Sequence, residues 1–485
     1  MKSSTFNIMK KYYILLIVLL LGFSSCEKIL DKEPTDKLSL EDLFKDVQGA
    51  KTALAGSYKA LLEEDHYNKN MMVYPDILAG NIKFSKNTNL RLENVYEVAL
   101  DAQISSMNAT YASLYSELNN VNNVIKYTPS SAGSTIEKAK IIAEAKAIRA
   151  LIHFDLVRIF ARPFNYTTDA SHLGISVILQ PQLYSDPSPF RATVAETYNV
   201  IIKDLTEAIA AFDDTNVGVL NSGSKQNYFT KSSTKALLAK VYLYQNNWNA
   251  AFALADEIIK SNQYTLITNA NYVASWVGRV PSSESIFELP VETNFTGGGL
   301  GVYYESSNLS SYRMYAATGD LTGLYSTDDV RGITKMFNRE AINGVNYVFT
   351  KKYQGGATLA TPIKVLRLSE LYLIRAEAAV EKTAADFAVA NADLNLIRKR
   401  GDAGAITLNL TTKEAVIDAI LLERRKELAF EGNLLFDLMR RKKDIVRVDV
   451  TPVVKNLVTD DDRLIMPLPA NTVNANRNMK QNPGY

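Results

Sequence analysis

The sequence predicts a mainly α fold in which helices stack in pairs and one long irregular lobe packs on the stack. Three observations carry this. Nine stretches place apolar residues mostly three and four apart, the spacing of a helix with one buried face. Small alanines stand twelve residues apart across a short turn, at Ala239 and Ala251 and again at Ala376 and Ala388, so that two helices can approach closely. Between Ser261 and about Pro362 the texture changes to Asn, Ser, Thr, Gly and Tyr, with short alternating runs such as SIFELPVE and NYVFTKKY. Such a stretch is too long for a linker and reads as loops, short strands and small helices.

In chain order, Lys2, Lys10 and Lys11 precede an uncharged run from Tyr12 to Gly22 that is rich in Leu, Ile and Val. At about eleven residues it is too short to cross roughly 30 Å of hydrocarbon as a helix, so residues 1–25 read as a signal peptide. The boundary Phe23-Ser24-Ser25-Cys26 resembles a lipobox, at which the cysteine is acylated and becomes the new N-terminus. Cys26 is the one cysteine in 485 residues, which excludes an intramolecular disulfide and a multi-thiolate metal site. Two or three acyl chains on it would anchor the protein stably, where one would be marginal. Removing the signal peptide takes away three lysines and no acid, so the formal charge moves from +2 to −1. That balance speaks against nucleic acid as a partner. Residues 26–45, charged and interrupted by Pro34, read as a tether to a body spanning 46–485.

The expected helices are Val47 to Glu63, Tyr111 to Tyr127, Ile136 to Phe160, Val194 to Phe212, Ser232 to Tyr244, Asn249 to Lys260, Ser369 to Glu381, Ala384 to Arg400 and Lys413 to Arg441. In Lys235 to Ile258, Leu238, Ala239 and Tyr242 mark one helix, Asn246 to Trp248 a turn, and Ala251, Ala255 and Ile258 a second helix; this resembles a tetratricopeptide repeat. Four such repeats are expected. Two are split, GAKTALAGSYKALLEE finding its partner near Tyr111 to Tyr127 and AEAKAIRALIHFDLVRIF near Glu196 to Phe212. The fold class is thus tetratricopeptide-like helical repeats at about 46–260 and 363–442, with an irregular ligand lobe at about 261–362.

Several stretches together resemble one family, the SusD/RagB outer-membrane nutrient-binding lipoproteins of Bacteroidota. Leu30-Asp31 and Pro34 resemble its start, AEAKAIRALIHFDLVRIF followed by Pro163 its second repeat, and RLSELYLIRAEA with LNLIRKR its last repeat. ERRKELAFEGNLLFDLMR followed by IMPLPANTVNANRNMKQNPGY resembles its closing segment, and this C-terminal match is the specific part. Departures are Ala161 where Gly is usual, Leu434 where Arg is common, and Tyr111 where Trp is frequent. The resemblance implies capture of a glycan at the exterior of the outer membrane, without catalysis or cofactor, and a SusC-like TonB-dependent transporter as partner. Oligopeptide capture, a lipid-anchored polysaccharide hydrolase and a protein-binding scaffold are the alternatives.

Sugars present apolar C–H faces and rings of hydroxyls, so a glycan site needs exposed aromatic platforms and planar polar partners. The chain has 26 Tyr and two Trp. Trp248 lies in a repeat turn and reads as packing; Trp276, beside Arg279, reads as free. The resemblance places the ligand site in the insert after the first repeat helix and in the irregular lobe. The matching stretches hold Tyr74, Asp76, Asn81, Arg91 and Tyr96, then Trp276, Arg279, Tyr303, Tyr304, Asn308, Tyr312 and Tyr315.

Other motifs point away from chemistry. His66, His153 and His172 lack ligand spacing, so no zinc site is expected, and His153 reads as core filling. Gly297-Gly298-Gly299-Leu300-Gly301 lacks the Lys-Ser/Thr of a phosphate loop and reads as a turn. Asp460, Asp461 and Asp462 lack EF-hand spacing. Glu423, Arg424, Arg425, Glu427, Glu431, Asp437 and Arg440 stand at helical spacings suited to ion pairs between helices. The closing QNPGY reads as a turn that pins the C-terminus.

Overall fold

Helices pack as four successive pairs in a computed structural model that describes residues 39–85, 90–103, 106–183, 185–213, 215, 217–220, 223–292, 299–304, 312–354 and 360–485. The expected signal peptide, Cys26, most of the tether and Asn308 lie outside the described residues. Helix α1 (Val47–Ala60) pairs, across an insert that carries α2 (Asn70–Leu78), with α3 (Asn108–Tyr127). Then α4 (Thr135–Phe160) pairs with α5 (Val194–Ala211), α6 (Lys231–Tyr244) with α7 (Trp248–Lys260), and α8 (Leu368–Glu381) with α9 (Phe387–Gly401). Each pair also touches the next, α3 on α4, α5 on α6 and α7 on α8. Two of the four pairs are split by inserts, as the sequence suggests.

Short polar side chains set where these helices begin. Asp46 accepts from the Gln48 and Gly49 amides at 3.0 Å each, and Thr193 and Glu196 cap α5 reciprocally. Ala239 and Ala251 are fully buried, as their spacing predicts. The last pair differs. Asp386 accepts from the Val389 amide and starts α9 at Phe387 rather than Ala384, so Ala388 is exposed and Ala390 is the buried small residue.

The expected single helix from Lys413 to Arg441 is two helices, α10 (Lys413–Glu427) and α11 (Leu434–Arg440). Between them Phe430 and Gly432 adopt φ of +66° and +70°, and their amides each donate to the Asp76 carboxylate at 3.2 Å. A Cβ on Gly432 would lie 2.3 Å from the Met71 carbonyl oxygen. The chain therefore passes too close to α2 to carry a side chain there, and helical periodicity on both sides hides the break.

The irregular lobe is made of short paired segments. β1 (Ile82–Phe84), from the first insert, pairs antiparallel with β3 (Tyr315–Ala317), and β2 (Ser285–Leu289) with β6 (Ile363–Arg367). β4 (Phe337–Ile342) and β5 (Val345–Thr350) form a hairpin whose Asn343-Gly344 turn has φ of +53° and +80°, the geometry Asn-Gly favours. The glycine run ends in a single helical turn, Gly301–Tyr304, rather than in a plain turn.

A buried charge network welds lobe to helices. Glu427 meets Arg367 at 2.5 Å, Arg331 at 2.9 Å and Arg400, while Glu431 meets Lys352 at 2.6 Å. Burial alone would raise the Glu427 carboxyl, but the three guanidiniums hold it well below the usual range. Glu423, Arg424, Arg425, Asp437 and Arg440 also form ion pairs. At the C-terminus Asn482 donates to the Phe160 and Met466 carbonyls, and Tyr485 to that of Ile465. Asp461 and Asp462 are occupied by Arg463 and Arg162.

Candidate functional site

Most residues singled out from the sequence turn out to be interior. Tyr74 is fully buried, edge-on to Phe436 at 5.9 Å. Asp76, equally buried, accepts from Asn81 Nδ2 at 2.6 Å besides its two backbone donors, and burial pushes its carboxyl up to about 6. Asn81 in turn accepts from Arg425 Nε at 2.9 Å. The Tyr96 ring lies 4.4 Å from that of Phe84, and its hydroxyl takes the Thr451 amide. These four are a clasp between the first insert and the C-terminal chain, with no face for a ligand.

Trp276, expected to be free, is buried under Lys352, Lys364 and Arg367, whose charged ends lie 4.7, 4.8 and 5.7 Å from its ring. Its indole therefore covers the charge network by cation–π contact. Arg279 is exposed, but donates to the Val291 carbonyl. Tyr304 and Tyr315 are fully buried as well.

What reaches the surface is one end of an aromatic ladder. Tyr353, Tyr304, Tyr315 and Tyr303 follow one another at centroid distances of 5.3, 5.6 and 5.4 Å, and Tyr312 stands 5.6 Å beyond Tyr303. Tyr312 is 44% exposed, and Tyr303 is buried, its hydroxyl donating to Glu64. Lys69 Nζ donates to the same Glu64 oxygen, Oε1, at 2.5 Å and lies 5.7 Å from the Tyr303 ring. Burial would raise the Glu64 carboxyl, but Lys69 and Tyr303 outweigh it and hold the group below its ordinary value, with exposed Arg91 adding to the pull. Nearby, Arg313 pairs with Glu340.

This face combines an exposed ring, a carboxylate fixed in its charged form and guanidiniums, the elements that stack on and hydrogen-bond to a polyol. The sequence reading named Tyr312, Tyr303 and Arg91 but missed Glu64 and Lys69. They sit in the turn after α1, where the run Glu63-Glu64-Asp65 is the one local signal, and charge runs are usually solvated. His66, next along, is fully buried between Glu117 at 2.8 Å and Asp155 at 3.0 Å on opposite ring nitrogens. Among the described residues no cluster of His, Cys, Asp and Glu is arranged to hold a metal ion.

Residues 240–485 match the model of the SusD family, and residues 28–243 match a family described as starch-binding, associating with outer membrane. A SusD-like protein, P38, from Formosa agariphila is 24% identical over 97% of this chain and 98% of its own length. The crystal structure of a SusD superfamily protein from Bacteroides vulgatus superposes with a TM-score of 0.81 at 28% identity, over 91% of this chain and all of that one. A laminarin-binding SusD-like protein superposes with a TM-score of 0.73 at 22% identity, over 91% of this chain and all of its own.

Proposed function

The chain belongs to the SusD family, and from that premise we propose that it captures a glycan at the cell surface, without catalysis, and hands it to a partner TonB-dependent outer-membrane transporter. The observation that carries this is the exposed Tyr312 ring at the end of the tyrosine ladder, next to Tyr303, whose hydroxyl meets the Glu64 carboxylate that Lys69 also holds. A sugar ring laid on Tyr312 would bury its C–H face there and turn its hydroxyls to the Glu64 carboxylate, which remains an acceptor at neutral pH. Of the other residues singled out, interior Tyr304 backs this face through the ladder, while Tyr74, Asp76, Asn81, Tyr96, Trp276 and Arg279 hold the fold. The laminarin-binding relative makes a β-glucan the first ligand to try.

Location follows from the N-terminus. Residues 1–25 are removed, Cys26 is acylated in the outer membrane, and residues 26–45 tether the body outside the cell. Holding ligand next to a transporter raises its local concentration at the pore, which is the physical use of such an anchor. The test is migration of the purified mature protein through gels containing laminarin or other polysaccharides, with reducing-sugar release assayed in parallel. Retardation without release is the expected result. Release of product would overturn the non-catalytic reading, and unretarded migration on every polysaccharide would overturn glycan capture.

A further inference from the structure

Two clefts open side by side where α3 faces the C-terminal segment that contains a short helix, α12 (Ala470–Ala475). One has a volume of about 620 Å³ and is walled by α3, residues 102–103 and residues 469–474. The other, about 440 Å³, continues along α3 between residues 176–189 and residues 472–479. Tyr111, Tyr115 and Thr472 line both, so the two form one groove. It shares no lining residue with the Tyr312 face.

The lining has an unusual chemistry. Charged residues make up 22% of the chain, yet among the described residues no Asp, Glu, Lys or Arg lines either cleft. Their place is taken by amides, among them Gln103, Asn108, Asn119, Asn471 and Asn474. Gln103, Asn471 and Asn474 are exposed, and the buried Asn108 Oδ1 has no hydrogen-bond partner. The floor is aromatic: Tyr111 and Tyr115 lie 4.6 Å apart, the first backed by Phe160 and the second fixed by a 3.0 Å hydrogen bond to the Ser176 carbonyl. Leu183 and Phe190, each next in sequence to a lining residue, are 66% and 72% exposed at the rim. The cation nearest the tyrosines, Arg191, is buried and donates to the Gly174, Leu173, Phe160 and Lys480 carbonyls, so it offers nothing to a ligand.

We propose that this groove is a second ligand site, which takes an extended, uncharged oligosaccharide. The chemical class rests on the glycan reading above; the existence of the groove does not. Amides donate and accept in one plane, as vicinal hydroxyls do, and tyrosine edges and faces suit sugar C–H surfaces. Among the described lining residues an anionic polymer would find no cation to pair with, exposed Arg477 and Lys480 standing beside the lining rather than in it. A peptide added as a β-strand would need a free sheet edge, whereas the walls here are helices and irregular chain. Each cleft by itself falls in the volume range of small-molecule sites.

Calorimetric titration of the mature protein with laminarihexaose, maltohexaose, xylohexaose, mannohexaose and hexaglycine tests this, using Tyr312→Ala to remove the other face. Ala112→Trp, at an exposed position of α3 that lines the groove, should fill it without disturbing the core. A milder block, Gln103→Ala with Asn474→Ala, should weaken groove binding about tenfold. The expected result is that Tyr312→Ala protein still binds at least one hexasaccharide and that adding Ala112→Trp abolishes this. Complete loss of binding in Tyr312→Ala alone would overturn the groove and leave the proposed function standing. Binding of no hexasaccharide by the unmodified protein would overturn the groove, while the polysaccharide gels decide glycan capture separately. Hexaglycine binding that Ala112→Trp removes, with no hexasaccharide bound, would overturn the glycan assignment.

Discussion

His66 Nε2 lies 3.0 Å from Asp155 Oδ2 at the centre of the first two repeats, with Glu117 on its other nitrogen. Burial lowers the imidazole pKa, but the two carboxylates outweigh it and raise it to about 9 from an ordinary 6.5. The folded pKa lies above the unfolded one, so the stabilisation is complete below about pH 6.5 and is lost as pH rises toward 9. Urea midpoints of the unmodified protein should therefore fall between pH 6.5 and 9.5, and those of His66→Gln should not follow. At pH 6, His66→Gln should cost about 3–5 kcal/mol, because buried Glu117 loses its cation and Asp155 is left with Arg158 alone. Parallel pH profiles in the two proteins would refute this.

Glu427→Gln should destabilise by a similar margin, about 3–5 kcal/mol, since Arg331, Arg367 and Arg400 all converge on that carboxylate. A midpoint shift within error would mean that the network relaxes without cost.

Gly432→Ala combines a positive φ with a Cβ placed 2.3 Å from a carbonyl oxygen. Strain alone is worth about 1–3 kcal/mol, and the clash adds to it. The variant should show a lowered thermal midpoint, whereas alanine at Gly56, where nothing lies within 4 Å of the added Cβ, should raise or preserve it.

Trp276→Ala and Tyr312→Ala should separate packing from binding. Removing the buried indole should cost about 3–5 kcal/mol of stability and leave affinity for a bound polysaccharide unchanged in the surviving folded protein. Tyr312→Ala, at an exposed ring, should leave the thermal midpoint in place and weaken retardation on that polysaccharide about tenfold. The opposite pattern would relocate the site to Trp276.

How much of this was legible in the sequence depends on the range of the contact involved. Helix pairs announce themselves because Ala239 and Ala251, or the caps Asp46 and Thr193, act within a few residues of chain. The split pairs were also visible, since both partners keep helical spacing. What stayed hidden was long-range. Asp76 meets Phe430 and Gly432 across some 350 positions, so a helix drawn through Lys413 to Arg441 looked continuous. Trp276 read as free because nothing local shows that Lys352, Lys364 and Arg367 come from elsewhere to cover it. Eight of the residues that the sequence suggests as ligand contacts are interior for this reason: sequence reports that a loop is rich in tyrosine, and three-dimensional packing decides which ring stays outside.

The clasp of Asp76 on Phe430 and Gly432, together with the β1–β3 pairing, changes how the stack should come apart. A string of helical repeats held only by its neighbours peels from either end, each unit leaving in turn. Here the chain departing the final repeat is tied by hydrogen bonds to the insert of the opening one, so neither the first nor the last helix pair can leave alone. Melting should accordingly proceed as one event for the whole body, and a nick that severed the 430–432 crossing would free both extremities at once.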